Sequence, residues 1–285
     1  MSEARRGRRV LLVSTDPAHN LAHLFDRAVG PRPVPLEAGL DAVELDPDET
    51  VAEHLARTRE ALRRLMPDRL HGEIDRHLGE SREAPGMVEA ALLEAIAALI
   101  EEAAHDLIVF DTAPTGHTAR LLSLPETMAA WTEGLIASRE RADRFAKAAA
   151  LMGADRDEGR EDTIRAILHR RRALFRHLRE ALTDEARTAF LIALTAERLP
   201  VLETIELHAR LRSLGVAAPA LLVNKRAPAG ESAFLDALRA REDGHLATLR
   251  AALPEAEVVE IALQPQEVTG ADALAALRPS GQRSA

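Results

Sequence analysis

Two aspartates stand where predicted strands end and loops begin, and both are candidates for chemistry. Asp111 closes the apolar run at 107–110 and is followed at once by a Pro/Thr/Gly-rich segment, 112–118. Asp16 follows a second apolar run, at 10–13. The carboxyl ends of parallel strands form the ligand-binding edge of an α/β sheet, and carboxylates there can hold Mg²⁺ or orient a water molecule. The two segments therefore predict an active-site edge for a nucleotide and its Mg²⁺.

The elements that would position these aspartates are apolar candidate strands separated by long helical patterns. Most are continuous apolar runs, which is typical of strands buried on both faces. The candidate strands cover residues 10–14, 42–45, 107–111, 190–195, 220–224 and 258–262. This alternation predicts an α/β fold, with a doubly wound, mostly parallel sheet and helices on both faces. The proline-containing segment 31–35 is predicted to be a short loop.

The order of motifs along the chain resembles the arsenite-pump (ArsA-type) and tail-anchored-protein-targeting ATPase family, a deviant-Walker branch of the P-loop NTPases. Besides the two aspartate segments, the resemblance rests on short motifs in family order that cover nearly the whole chain. These motifs are Pro85-Gly86 with Glu89, Leu121 to Pro125, Glu197 to Leu199 with Glu203-Thr204, Asn224 to Pro228, and Glu267 to Gly270. The resemblance implies a P-loop NTPase fold, here without its first strand and phosphate loop.

The resemblance also implies ATP as substrate, Mg²⁺ as the metal, and hydrolysis of the β–γ bond at a homodimer interface. Asp16 would act on the hydrolytic water with help from Asn20, and Asp111 would hold Mg²⁺ through water. Glu197 and Asn224 would bind the nucleotide. The loop after Asp111 would be a switch that senses the γ-phosphate, and its candidate residues are Asp111, Thr112, Pro114, Thr115, Gly116 and His117.

Taken one at a time, the same residues also have ordinary structural interpretations. Asp16 could cap the helix expected at 18–25, and Glu197 could be an acid in the first turn of a helix. Asn224 could form a turn before Pro228. His117 is as compatible with a structural histidine as with a functional one. The functional interpretation depends on the whole set of motifs rather than on any single residue.

A phosphate loop is the part of the family pattern that the 285 residues do not contain. Such a loop needs a Gly-rich turn followed by Lys and Ser/Thr, but the two lysines are Lys147, in a helical stretch, and Lys225, after Asn224. Two interpretations stay open. The first is an ATPase whose true start lies upstream, weak or inactive as given. The second is a non-hydrolysing pseudo-ATPase that pairs with an intact homologue or binds a hydrophobic client. We favour truncation, because the phosphate-loop strand lies inside a doubly wound sheet and its loss leaves apolar edges unpaired.

Composition limits the partners. A net charge of −9 and only 2% aromatic residues argue against nucleic-acid binding. The lack of cysteine argues against arsenite capture by thiolates and against a zinc-clamped dimer. The apolar run at 10–13 is too short for a signal peptide or a membrane span. We therefore expect a cytoplasmic protein without direct membrane insertion, with ATP and a second copy of the chain as partners. The resemblance adds a hydrophobic or membrane-protein client as a partner. A groove that binds such a client would be expected to be rich in methionine, and residues 126–187 hold few methionines.

The domain organisation is expected to be simple. We predict one ArsA-type ATPase domain over residues 1–278, with a strongly charged helical subdomain at 126–187. Residues 279–285 are predicted to be a disordered tail.

Overall fold

The computed structural model describes residues 1–16, 20–65, 68–84, 86–102, 104–112 and 158–277. Within these ranges parallel strands alternate with helices, which confirms the predicted α/β class. The strands are β1 Val10–Ser14, β2 Val34–Glu37, β3 Leu40–Glu44, β4 Leu107–Asp111, β5 Leu191–Thr195, β6 Ala220–Arg226 and β7 Glu257–Ala262. The helices are α1 Ser2–Arg5, α2 Asn20–Phe25, α3 Pro47–Leu65, a 3-10 turn Asp68–Leu70, α4 His71–Ser81, α5 Met87–Glu102, α6 Glu158–Thr183, α7 Arg198–Ser213, α8 Ala233–Ala252 and α9 Gly270–Ala276.

The described strands form two sheets, in the orders β2-β3-β1-β4 and β5-β6-β7. Neighbouring strands are parallel throughout, except that β2 runs antiparallel to β3. In the first sheet Ser14 is in register with Glu44 on one side and with Asp111 on the other. In the second sheet Thr195 is in register with Asn224. Each sheet therefore has a predicted site residue near its carboxyl edge, Asp111 in the first and Asn224 in the second.

The predicted strand bounds agree closely with the observed ones, with one error in the segment before β3. β1 and β4 have the predicted limits, and the other predicted strands differ by one or two residues at an end. The prediction of a loop over 31–35 is wrong in part, because β2 begins at Val34 and contains Pro35. Proline cannot donate to a sheet hydrogen bond, and an edge strand such as β2 tolerates it.

The first hydrophobic core lies between the first sheet and helices α5 and α6. Its buried side chains include Leu11 and Val13 of β1, Leu93 of α5, and Phe175 and Leu178 of α6. Helix α6 falls within the predicted helical subdomain, and its Phe175 and Leu178 pack with residues of β1. Residues 126–157 of that subdomain, and the predicted tail at 279–285, lie outside the described residues.

The second core lies between the second sheet and helices α7 and α8. Leu194 of β5 and Leu221 of β6 pack there with Leu211 of α7 and Leu246 of α8. The alternation of buried and exposed residues in β5 shows that this core covers one face of the strand.

Among the described strands, β4 is an outermost strand of the first sheet and β5 is an outermost strand of the second. Each carries an apolar side chain with substantial exposure, 43% for Val109 in β4 and 63% for Leu191 in β5. Within the described residues each of these strands also lies at an edge of its sheet, where the backbone N–H and C=O groups are sites at which a further strand can pair. None of the helices in the described ranges combines the length and apolarity needed to cross a membrane.

Candidate active site

The carboxyl end of β1 is tied to the carboxyl end of β4 by hydrogen bonds that extend beyond the strands. Thr15 donates its amide N–H to the carbonyl oxygen of Asp111 at 2.9 Å and its hydroxyl to the same oxygen at 3.2 Å. The next residue, Asp16, donates its amide N–H to the Oγ of Ser14 at 3.3 Å. Ser14 and Thr15 are both buried. The two aspartates singled out in the sequence are thus held at one edge of the first sheet.

The electrostatics of this edge couple the two carboxylates. The pKa of Asp111 is raised above the ordinary aspartate value, first because its carboxyl is partly withdrawn from water and second because of the negative charge of Asp16. Both causes disfavour the charged form of Asp111. A divalent cation would offset both, and carboxylate oxygens are the ligands that Mg²⁺ prefers. The residues present therefore fit the metal that the family resemblance implies.

A third carboxylate, Glu44, stands at the same edge and was missed in the sequence. Glu44 ends β3 and is only 4% exposed. Its Oε1 accepts the amide N–H of Leu21 at 2.9 Å, in the first turn of α2. The N–H groups of a first helical turn have no partner within the helix, so Glu44 caps the helix that starts at Asn20. The available signal was that β3 and β4 end in an acid and that β1 has one two residues after its end.

Part of the predicted site lies outside the described residues. This holds for residues 17–19 and, in the switch loop, for Pro114, Thr115, Gly116 and His117. Asn20 is the first residue of α2, and only its backbone is described. Thr112 follows Asp111 directly and is half-buried.

The second sheet brings the two predicted nucleotide-binding residues close to one another. Asn224 in β6 is paired with Thr195, and the amide N–H of Glu197 donates to the carbonyl oxygen of Thr195 at 2.8 Å. Both Asn224 and Glu197 are exposed. Glu197 is the N-cap residue of α7, but its side chain makes no capping hydrogen bond. The side chain of Glu197 therefore does not cap α7 through a hydrogen bond, although its charge lies at the helix N-terminus, where an acid is favourable.

The side chain of Asn224 is oriented by its own backbone. Its Oδ1 accepts the amide N–H of Lys225 at 2.8 Å. This contact uses the amide oxygen, so the NH₂ group is the part of the side chain that can donate to a ligand. The predicted residues are thus grouped as two pairs on two sheets, with Asp16 and Asp111 on the first and Glu197 and Asn224 on the second.

Mostly parallel sheets flanked by helices, with carboxylates at strand ends, are consistent with the P-loop NTPase class of α/β proteins. Comparison with known families narrows this class. The model of the anion-transporting ATPase (ArsA) family matches residues 1–280, and the chain belongs to that family.

Individual relatives agree with this assignment. The chain is 32% identical to an arsenical pump-driving ATPase of Acidiphilium multivorum and 31% identical to one of Escherichia coli, each time over 96% of this chain and 44% of the relative. It is 28% identical to an ATPase ASNA1 homolog of Trypanosoma cruzi, over 96% of this chain and 80% of the relative. The chain therefore spans less than half the length of the two pump-driving ATPases.

Proposed function

We propose that this protein binds Mg·ATP and hydrolyses its β–γ bond, with the carboxyl edge of the first sheet as the catalytic edge. The observation that carries the proposal is the coupled pair of carboxylates, Asp16 and Asp111, held by Thr15 in a chain of this ATPase family. Such pairs at strand ends suit a metal-bound phosphate, because the cation offsets their mutual repulsion.

Each residue of the edge has a distinct part in the proposed reaction. Asp111 would hold Mg²⁺ through water, and the bound metal would supply positive charge beside the phosphates. Asp16 accepts a hydrogen bond from the attacking water and orients it toward the γ-phosphate. Asn20, which starts α2, contacts the γ-phosphate or the water. Glu44 fixes the start of α2 and so the position of the Asn20 backbone.

The remaining predicted residues bind the nucleotide or sense whether its γ-phosphate is present. Thr112 and the residues after it, with Pro114, Thr115, Gly116 and His117, sense the γ-phosphate as a switch. Glu197 and Asn224 contact the nucleoside at the edge of the second sheet. The family of the chain supports these roles, as do the position of Thr112 directly after β4 and that of Asn224 near the end of β6.

The proposed activity requires a phosphate loop, which residues 1–285 do not supply. The two exposed edges, β4 and β5, support the idea that one more parallel strand joins the two sheets. We propose that this strand and its loop belong to a longer reading frame of the same protein. Residues 1–285 alone would then bind nucleotide weakly and hydrolyse it slowly.

The proposed assembly is a homodimer in the cytoplasm that closes around Mg·ATP. Two of the relatives are named as arsenical pump-driving ATPases. Because the chain has no cysteine, thiolate capture of arsenite is not part of the proposal for this protein. For the partner on which the ATPase acts, the proposal based on the family is a hydrophobic client.

Steady-state ATP hydrolysis of the longer reading frame tests the proposal. We expect Asp16→Asn to abolish turnover while retaining ATP binding, and Asp111→Asn to remove the Mg²⁺-dependent part of binding. Asp68→Asn, in the short 3-10 turn, is the matched control and should leave both unchanged. Turnover by Asp16→Asn equal to that of the wild type would refute the assigned role. If the genomic frame encodes no phosphate loop and residues 1–285 fold cooperatively alone, the chain is instead a non-hydrolysing pseudo-ATPase.

A further inference from the structure

The most buried charged side chain of the described residues lies at the end of β6, directly after Asn224 and Lys225. Arg226 is 2% exposed. Its Nε donates to Glu260 of β7 at 2.9 Å, its Nη2 donates to Asp243 of α8 at 2.5 Å, and its Nη1 donates to Glu242 of α8. One guanidinium thus joins the strand end to a neighbouring strand and to a helix.

The backbone next to Arg226 is held by the same helix. Glu242 accepts the amide N–H of Ala227 at 3.1 Å, and Arg239 donates to the carbonyl oxygen of Ala227 at 2.6 Å. Both backbone groups of Ala227 are therefore bound to side chains of α8. We call Arg226, Arg239, Glu242, Asp243 and Glu260 the strand-end clamp.

The clamp coincides with a local break in the strand. Lys225 has a positive φ of 56°, a left-handed conformation that is unfavourable for a residue with a Cβ. The pairing of β6 with β7 becomes irregular between Val223 and Arg226. As a result Asn224 is exposed at the sheet edge while Arg226 is buried. The clamp holds the chain in this turned conformation.

Stability alone is a poor reason for such an arrangement. Apolar residues of similar volume often stabilise a fold as well as a buried ion pair does. The planar guanidinium contributes fixed geometry, because its N–H groups point in set directions and so fix the orientation of each carboxylate partner. The partners here determine where the strand ends and which way the residue before Lys225 points.

We propose that Arg226 is a positioning residue for Asn224, and that the clamp fixes the Asn224 amide so that its NH₂ group donates to an acceptor on a purine base. This proposal rests on the proposed function, since it concerns the nucleoside end of that site. Arg226 itself does not touch the base. It acts by holding the turn at Lys225.

The test compares a nucleotide with a base-free probe. In the longer reading frame, Mg·ATP and Mg·tripolyphosphate are titrated against the wild type, Arg226→Lys, Asn224→Ala and the double variant. We expect Arg226→Lys to weaken ATP binding about five- to tenfold, the loss of roughly one hydrogen bond, and to leave tripolyphosphate binding unchanged. The double variant should bind ATP no more weakly than Asn224→Ala alone.

Hydrogen exchange supplies a readout that does not depend on nucleotide. The amide of Ala227 should exchange about tenfold faster or more in Arg226→Lys than in the wild type. Arg250→Ala is the control, because Arg250 also donates to Glu260, at 2.9 Å, but is half-exposed and lies outside the clamp. It should change neither ATP binding nor the exchange at Ala227. If Arg226→Lys does not fold, Asp243→Asn removes the exposed partner of the clamp and should act in the same direction.

Five results would overturn the proposal. Equal weakening of ATP and tripolyphosphate would show that Arg226 has only a general structural role. Additive effects of Arg226→Lys and Asn224→Ala, or unchanged exchange at Ala227, would show that the clamp does not act through Asn224. Wild-type protein that binds tripolyphosphate as tightly as ATP would refute the base contact while leaving the phosphate site intact. Wild-type protein that binds neither probe would refute the proposed function as well.

Discussion

Replacing the buried Glu44 should separate its structural role from its charge. Glu44 accepts the N–H of Leu21, a residue that is itself buried, in the first turn of α2, whose N–H groups have no partner within the helix. A hydrogen bond to a charged group contributes about 1.5–3 kcal/mol, and a carboxylate near a helix N-terminus adds roughly 0.3–1 kcal/mol. Since α2 is short, the lower end of the second range applies. Glu44→Ala should therefore lower the free energy of unfolding by about 2–3 kcal/mol.

The isosteric change Glu44→Gln should be milder, because the amide oxygen can still accept the N–H of Leu21. We expect it to cost about 1 kcal/mol, the difference between a charged and a neutral acceptor. At ~2–4 °C for each kcal/mol in a chain of this size, Glu44→Ala should lower the Tm by roughly 4–12 °C. Loosening of the first turn of α2 should also slow ATP hydrolysis, because that turn begins at Asn20.

The assay combines urea unfolding with hydrogen exchange at the Leu21 amide. Glu53→Ala, at an exposed position of α3, is the control and should change stability by less than about 0.5 kcal/mol. The reasoning fails if Glu44→Gln costs as much as Glu44→Ala. It also fails if the Leu21 amide exchanges at the same rate in the wild type and Glu44→Ala.

Three further changes test the electrostatics and the packing. Asp111→Asn should stabilise the nucleotide-free protein at neutral pH, because burial and the charge of Asp16 raise the pKa of Asp111 and make its ionisation a cost of folding. In urea titrations this gain should disappear below the ordinary aspartate pKa, where the carboxyl of Asp111 is protonated in both the folded and the unfolded state. Equal stability of the wild type and Asp111→Asn at neutral pH would contradict the prediction. Asp106→Asn should instead lower the stability of the protein at neutral pH, because hydrogen bonds from Arg9 lower the pKa of Asp106 to about 2. The advantage of the wild type should be present above the ordinary pKa of about 4 and be lost as the pH falls to about 2, whereas a Tm difference that does not vary with pH would refute the assignment. Leu211→Ala should lower the free energy of unfolding by about 2–5 kcal/mol, since Leu211 is fully buried in the second core, and a urea-measured loss below about 1 kcal/mol would contradict that packing.

Strand positions were readable from the sequence wherever a strand is an apolar run with a polar loop after it. β1 and β4 are of this kind, and their predicted limits are the observed ones. β2 failed this criterion because its sequence contains Pro35 and it pairs at an edge, where apolar periodicity is not required. Its existence depends on the antiparallel pairing with β3, which is a tertiary property.

Site residues were predictable from the sequence where they follow the end of an apolar strand. Asp16 and Asp111 were found because each follows an apolar run. Glu44 was overlooked because it falls inside the predicted strand 42–45, and only the fold shows its contact with Leu21, 23 residues earlier. Arg226 lies within the motif Asn224 to Pro228, but the motif did not indicate its ion pairs, since the partners lie 16, 17 and 34 residues away on other elements. Long-range ion pairs of this kind have no local pattern that a sequence could reveal.

The most direct test of the central claim is the thermal stabilisation of this protein by ATP with and without Mg²⁺. It should be measured on residues 1–285, on the longer reading frame that we propose and on the Asp111→Asn variant of that frame. With ATP at one hundred times its dissociation constant, the longer form should gain about 2.7 kcal/mol, and only when Mg²⁺ is present. Residues 1–285 and the Asp111→Asn variant should gain much less. Equal stabilisation without Mg²⁺, or full stabilisation of Asp111→Asn, would contradict a magnesium-dependent ATP site at the Asp16–Asp111 edge.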